Sequence, residues 1–263
     1  MSAEHCVKVA NPSLYCVDTK DSFSSPDFVP INEEPVKAAA EKEKPLTNDA
    51  STFDIVKATQ YGALERVEHL LNVEKVDVNL RDSENVTLLH WSAINNRLDI
   101  SKVYLAHGAE VDAIGGELRS TPLHWAVRQG HFQMTMLLMQ HGADPNIKDG
   151  EGCSGLHLAA QFGHTAIVAY LVAKCCHIND TDSNGMTALM WACFKTTNGL
   201  DPTRMLLTMG ASTSMRDNLH GNTPLHWALL SRNLQAVTLL VTKSSADILA
   251  VNLQGEFIIL TAL

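Results

Sequence analysis

The feature that most restricts this chain is that it copies itself. The runs Thr87-Leu88-Leu89-His90-Trp91, Thr121-Pro122-Leu123-His124-Trp125, Ser154-Gly155-Leu156-His157-Leu158, Thr187-Ala188-Leu189-Met190-Trp191 and Thr223-Pro224-Leu225-His226-Trp227 occupy one register, and their starts lie 34, 33, 33 and 36 residues apart. A period in this range means one supersecondary unit repeated along an axis, each unit unable to bury both of its faces alone. Asp54 to Leu71 fits the register one unit earlier, with Ala58 and Gly62 standing where Ala126 and Gly130 stand later. After Asn252-Leu253-Gln254-Gly255 a further unit begins, but Glu256-Phe257-Ile258-Ile259-Leu260 lies where the signature should return.

Each recurring residue has a mechanical reason. Thr121 can cap a helix with its hydroxyl, and Pro122 fits the first helical turn, where its missing N–H is no loss. Leu123 and Ala126 then face inward, the alanine letting a paired helix come close. A second helix carries apolar pairs, Leu70-Leu71, Leu137-Leu138, Leu206-Leu207 and Leu239-Leu240, that seal one unit on the next. Gly108, Gly142 and Gly210 follow these helices, where a left-handed residue is wanted. Asp149-Gly150 and Asn184-Gly185 supply turn chemistry between units. The period and the Thr-Pro-Leu-His-x-Ala pattern resemble the ankyrin repeat over residues 51–256. The resemblance implies an all-α ankyrin-repeat solenoid of six to seven helix-turn-helix units.

Residues 1–50 read differently. They hold five of the nine prolines and no sustained apolar period, which predicts a disordered N-terminal tail. Residues 257–263 read as a truncated, off-pattern end. No basic start is followed by an apolar run, and no 18 apolar residues follow one another, so no direct membrane insertion is expected. A net charge of −9, from 29 acidic against 20 basic residues, makes no broad field for nucleic acid. Six cysteines show no CxxC pair. Reduced cytosolic thiols are the plain reading, with a vicinal disulfide or a lipid at Cys175-Cys176 as the alternatives.

A narrower resemblance rests on Asp54-Ile55-Val56-Lys57-Ala58-Thr59-Gln60-Tyr61-Gly62, Leu89-His90-Trp91-Ser92-Ala93-Ile94-Asn95-Asn96-Arg97, Ala159-Ala160-Gln161-Phe162-Gly163-His164 and Asp201-Pro202-Thr203-Arg204. These runs are similar to the cytosolic N-terminal half of the huntingtin-interacting, ankyrin-containing palmitoyltransferases. That resemblance implies a recruiting half, acting at Golgi or vesicle membranes, of an enzyme that transfers palmitate to substrate cysteines. The Asp-His-His-Cys box and membrane spans of that family are absent from this sequence. The chain itself is therefore expected to be no enzyme, to need no cofactor or metal, and to be cytoplasmic as given.

The side chains agree with a binding role. Most of the twelve histidines occupy repeat positions, where a His can bond the local Thr and the turn backbone to tie units together. Signatures one repeat apart cannot share a zinc. The Gly115-Gly116, Gly150 and Gly152 segments lack the context of a phosphate loop. All four tryptophans fall directly after the fourth signature residue, with Leu158 in the remaining unit. On the first helix this position is expected to face the concave side, sharing that face with the residue four further on: Asn95, Gln129, Phe162, Lys195 or Ser231. Trp191 and Trp227 are expected to fill gaps between first helices. Trp91, Trp125, Asn95 and Gln129 are the candidate peptide-binding residues. An amide that bonds backbone, beside a ring that packs on a pyrrolidine, suits an extended proline-containing peptide. The resemblance implies the same, since the family recognises short proline-ending motifs through an Asn and a Trp that match Asn95 and Trp125. Partners bearing short unstructured motifs are expected. The rival expectation is a stand-alone cytosolic adapter unrelated to acyl transfer.

Overall fold

The computed structural model describes residues 52–174, 176–194, 202–244 and 246–255. The expected tail at 1–50, the end at 257–263, Cys175 and Lys195 lie outside the described residues. The helices form a compact unit that begins at Phe53.

Twelve helices are described, in six pairs: α1 (Ile55–Tyr61) with α2 (Leu64–Asn72), α3 (Leu88–Ile94) with α4 (Leu98–Ala106), α5 (Pro122–Arg128) with α6 (Phe132–Gln140), α7 (Gly155–Gln161) with α8 (Thr165–Ala173), α9 (Ala188–Phe194) with α10 (Pro202–Thr208), and α11 (Pro224–Leu230) with α12 (Leu234–Lys243). First helices pack in one row and second helices in another, each against its neighbours in sequence order. Among the described residues, β structure is limited to isolated bridges such as Arg81 with Thr87 and Thr181 with Thr187.

The signature leucines Leu89, Leu123, Leu156, Leu189 and Leu225 are fully buried. The slot three residues on holds Ser92, Ala126, Ala159, Ala192 and Ala228, all buried, so paired helices approach closely there. Ser92 is the polar exception, and its hydroxyl is satisfied: it donates to Leu89 O at 3.0 Å and accepts from Ser101 at 2.8 Å. Buried hydroxyls treated this way add little cost. Tyr104 does the same between units, meeting the Thr59 hydroxyl of α1.

Histidine supplies the stitching. In α3, α5 and α7 a capping box joins the N-cap hydroxyl to the histidine backbone and the histidine ring to the N-cap amide. His90 Nδ1 accepts from the Thr87 amide at 3.3 Å, and its Nε2–H donates to Ser120 O of the following unit at 2.9 Å. His124 reaches Cys153 O at 3.1 Å, and His157 reaches Asp180 O at 3.0 Å. His131 and His164 donate backwards, to Ile94 O and Arg128 O. The turns join too, through Gly150 N–H to Leu118 O, Ser183 N–H to Glu151 O and Asn218 N–H to Asn184 O.

The turn at Asp149-Gly150 is built by the aspartate side chain. In Asp149-Gly150 the left-handed residue is Gly152, at φ 79°, not Gly150. Asp149 opens the turn instead, its Oδ1 accepting the amides of Glu151 at 3.0 Å and Cys153 at 2.9 Å. Asp82 and Asp182 open theirs identically, accepting the amides two and four residues on.

Candidate peptide-binding face

The tryptophans line the first-helix row beside these turns, and three of them are held by the turn aspartates. Trp91 Nε1–H donates to Asp82 Oδ2 at 2.9 Å, Trp191 to Asp182 Oδ2 at 2.9 Å, and Trp227 to Asp217 Oδ2 at 3.1 Å. One carboxylate therefore serves two purposes: in Asp82 and Asp182 Oδ1 shapes the turn and Oδ2 fixes an indole, while Asp217 Oδ2 also accepts the Asn222 amide at 2.9 Å. Trp191 and Trp227 belong to the continuous apolar core, as gap-fillers should.

Trp125 breaks the pattern. Nine residues before it stands Gly116 instead of aspartate, so its indole N–H meets no acceptor among the described residues. The ring is not splayed out in a groove, however. Only 7% of Trp125 is exposed. Its edge meets Trp91 at 5.8 Å and His90 at 5.1 Å between ring centres. Gly116 lies against the ring, and its left-handed backbone, at φ 72°, is what calls for glycine there. Trp125, placed by the sequence on the concave side, packs closely on its neighbours, although it lies outside the main core cluster.

Trp91 is half-buried. Asn95 is the C-cap residue of α3, also half-buried, and its Nδ2–H donates to Trp91 O at 2.8 Å. That bond commits one N–H and leaves Oδ1 with no donor among the described residues. Gln129 is the exposed C-cap of α5, its backbone amide closing on Trp125 O at 3.4 Å. Trp91 thus touches both Asn95 and Trp125 and joins them across neighbouring first helices. Gln129 lies one helical turn beyond Trp125. Sequence reasoning missed the aspartate partners, although the nine-residue interval from Asp82 to Trp91 and from Asp182 to Trp191 is visible in the sequence.

Charge is handled by burial. His90 is pushed down to about 4, chiefly because its ring is removed from water, and His124 and His157 are lowered for the same cause. These rings are neutral at pH 7 and act as fixed hydrogen-bonding groups. Among the described residues no three His, Cys, Asp or Glu side chains gather as a metal site. No helix there is long and apolar enough to cross a membrane. Cys153, Cys176 and Cys193 are buried.

The sequence matches the profile described as "Ankyrin repeats (3 copies)" over residues 55–149 and 156–252. The chain belongs to the ankyrin-repeat family. As an ankyrin-repeat stack it superposes on the human ASB11 ankyrin repeat domain with a TM-score of 0.71 and 27% identity, covering 80% of this chain and 92% of that one. Over the same ankyrin region it is 56% identical to palmitoyltransferase Hip14 of Drosophila melanogaster, across 81% of this chain and 33% of that protein. It is 56% identical to human palmitoyltransferase ZDHHC17, across 80% of this chain and 33% of that protein. It is also 51% identical to human palmitoyltransferase ZDHHC13, across 83% and 35%. The chain spans about a third of the length of the curated relatives it matches.

Proposed function

We propose that this ankyrin stack recruits proteins by binding short, unstructured, proline-containing segments, as the substrate-gathering part of a protein S-palmitoyltransferase. In this reading it works at the cytosolic face of Golgi or vesicle membranes and leaves acyl transfer to a separate catalytic domain. The observation that carries the reading is the unspent pair beside Trp91. Three indoles are bonded to aspartates, while the Trp125 N–H and the Asn95 Oδ1 have no partner among the described residues. A peptide backbone offers what both want, a carbonyl for the indole and an amide for the carboxamide oxygen. Proline suits the remaining space because its ring packs on an aromatic edge and its chain is already extended, so little ordering entropy is lost.

The test is fluorescence anisotropy with a set of extended peptides that differ only in one Pro→Ala change. Proline peptides should bind, and their alanine counterparts should bind at least tenfold more weakly. Asn95→Ala should weaken the proline peptide about tenfold, the cost of about one backbone hydrogen bond. Equal binding of proline and alanine peptides, or an unchanged affinity in Asn95→Ala, sinks the proposal.

A further inference from the structure

Each inner unit of the stack has a side on which the next unit sits, and in the last helical pair that side is open. Leu230, Leu234 and Val241 are 49%, 74% and 50% exposed. Their counterparts in earlier units are half-buried. Phe194 stands where Leu230 stands, and its ring meets Trp227 of the next unit at 5.2 Å between centres. Leu98 and Phe132 hold the position of Leu234, and the Phe132 ring meets Tyr170 of the next unit at 5.7 Å. Leu105, Met139 and Val172 hold the position of Val241 and pack against the core. Leu234, Val237 and Val241 share one side of α12 at intervals of three and four residues, and no charged residue occurs from Leu234 to Thr242. The end of a solenoid ordinarily carries a polar outer face. At the other end α2 exposes Glu65, Glu68 and His69.

We infer that this apolar face takes the same face of a second copy of the chain, in a two-fold dimer with α12 antiparallel to its counterpart. The inference goes beyond the proline reading and does not depend on it, since Trp91, Asn95 and Trp125 belong to the second and third helical pairs and α12 to the sixth. Continuity with the stack argues for it first, because the open side chains are those that hold one unit to the next. Self-pairing argues for a closed dimer. A head-to-tail contact would lay the apolar stripe on the charged α2 and leave a new apolar end at every step, whereas like faces bury each other and stop at two.

Charge sets the direction. Arg232 stands just before α12 and Asp247 just after it, both exposed and neither in an ion pair among the described residues. A helix of this length spans about 15 Å, so the two charges flank opposite ends of the stripe. Antiparallel pairing brings each Arg232 to Asp247 of the second copy, at both rims. Parallel pairing would set arginine against arginine and aspartate against aspartate. The end of one helical pair is a small face, at the low end of interface sizes, so the dimer should be weak and reversible, with a Kd of about 50 µM.

Sedimentation equilibrium of the whole 263-residue chain over a range from about tenfold below to tenfold above that Kd tests this. The mass should rise from one chain to two and no further. The double variant Leu234→Glu, Val241→Glu changes exposed positions, so it should melt as the dilute unaltered chain does and stay a single chain throughout. Arg232→Asp should weaken the dimer about tenfold by setting aspartate against Asp247 of the second copy, and aspartate tolerates the left-handed backbone there, at φ 56°. Adding Asp247→Arg should restore the dimer by exchanging the charges. A single-chain mass at the highest concentration, as expected if another segment of the chain covers the face, overturns the inference. So does a dimer that survives the two glutamates, or a mass that climbs past two chains. A dimer indifferent to Arg232→Asp, or not restored by the exchange, overturns the antiparallel pairing.

Discussion

Trp125→Leu should cost at least thirtyfold in affinity for a proline peptide while lowering stability by only about 1–2 kcal/mol, because Leu158 already occupies the same slot one unit later. Trp125→Ala is a poorer probe. With 7% of the residue exposed, truncation leaves a cavity and should cost about 3–5 kcal/mol, so lost binding could be lost folding. Trp125→Phe isolates the indole N–H. That group has no partner within the described chain, so phenylalanine should change the melting point little and reduce affinity about tenfold. Trp91→Phe should behave in reverse. It strips Asp82 Oδ2 of a 2.9 Å bond and should lose about 1–3 kcal/mol of stability. Melting and peptide anisotropy measured on the same four samples decide the matter. A collapsed melt in Trp125→Phe, or full binding by Trp125→Leu, would return Trp125 to a purely packing role.

The helices were legible in the sequence because every level of information agrees at the signature. Thr121 caps, Pro122 starts α5, Leu123 and Ala126 bury, and His124 bonds both within and beyond its unit. The stitching role of the histidines was readable for the same reason, since a ring at the third helical position lies within reach of the N-cap amide. The environment of each tryptophan was not readable from its own register. Trp91, Trp125, Trp191 and Trp227 look equivalent along the chain, and what separates them is the residue nine or ten positions earlier: Asp82, Gly116, Asp182 and Asp217. Burial of Trp125 was hidden similarly, because it depends on contacts with the His90 and Trp91 rings of the preceding unit. Asp149-Gly150 was legible as turn chemistry, but the length of the turn was not, because the aspartate side chain organises a loop that closes at Gly152.

Mild acid should loosen the stack through its buried histidines. His90 Nδ1 accepts the Thr87 amide, and the neutral ring donates only from Nε2, to Ser120 O. A proton on Nδ1 would set donor against donor in a site removed from water, and burial accordingly lowers His90 to about 4. The unfolded histidine titrates near 6.5, so between these values the unfolded chain binds more protons than the native one. Stability is therefore fully present above about pH 6.5 and falls as the pH drops towards 4. His90 alone accounts for about 2 kcal/mol lost by pH 5, and His124 and His157, lowered in the same direction by the same burial, add to it. The chain contains its own control in the fifth unit, where Met190 takes the histidine position and the Thr187 amide meets its sulfur at 3.4 Å. His90→Met should accordingly lose about 1 kcal/mol at pH 7.5, from the severed bond to Ser120, yet show a shallower decline on acidification. Thermal melts of both proteins from pH 7.5 to pH 5 measure this. Two curves that converge as the pH falls support the buried neutral ring, and curves that stay parallel assign the acid sensitivity to other groups.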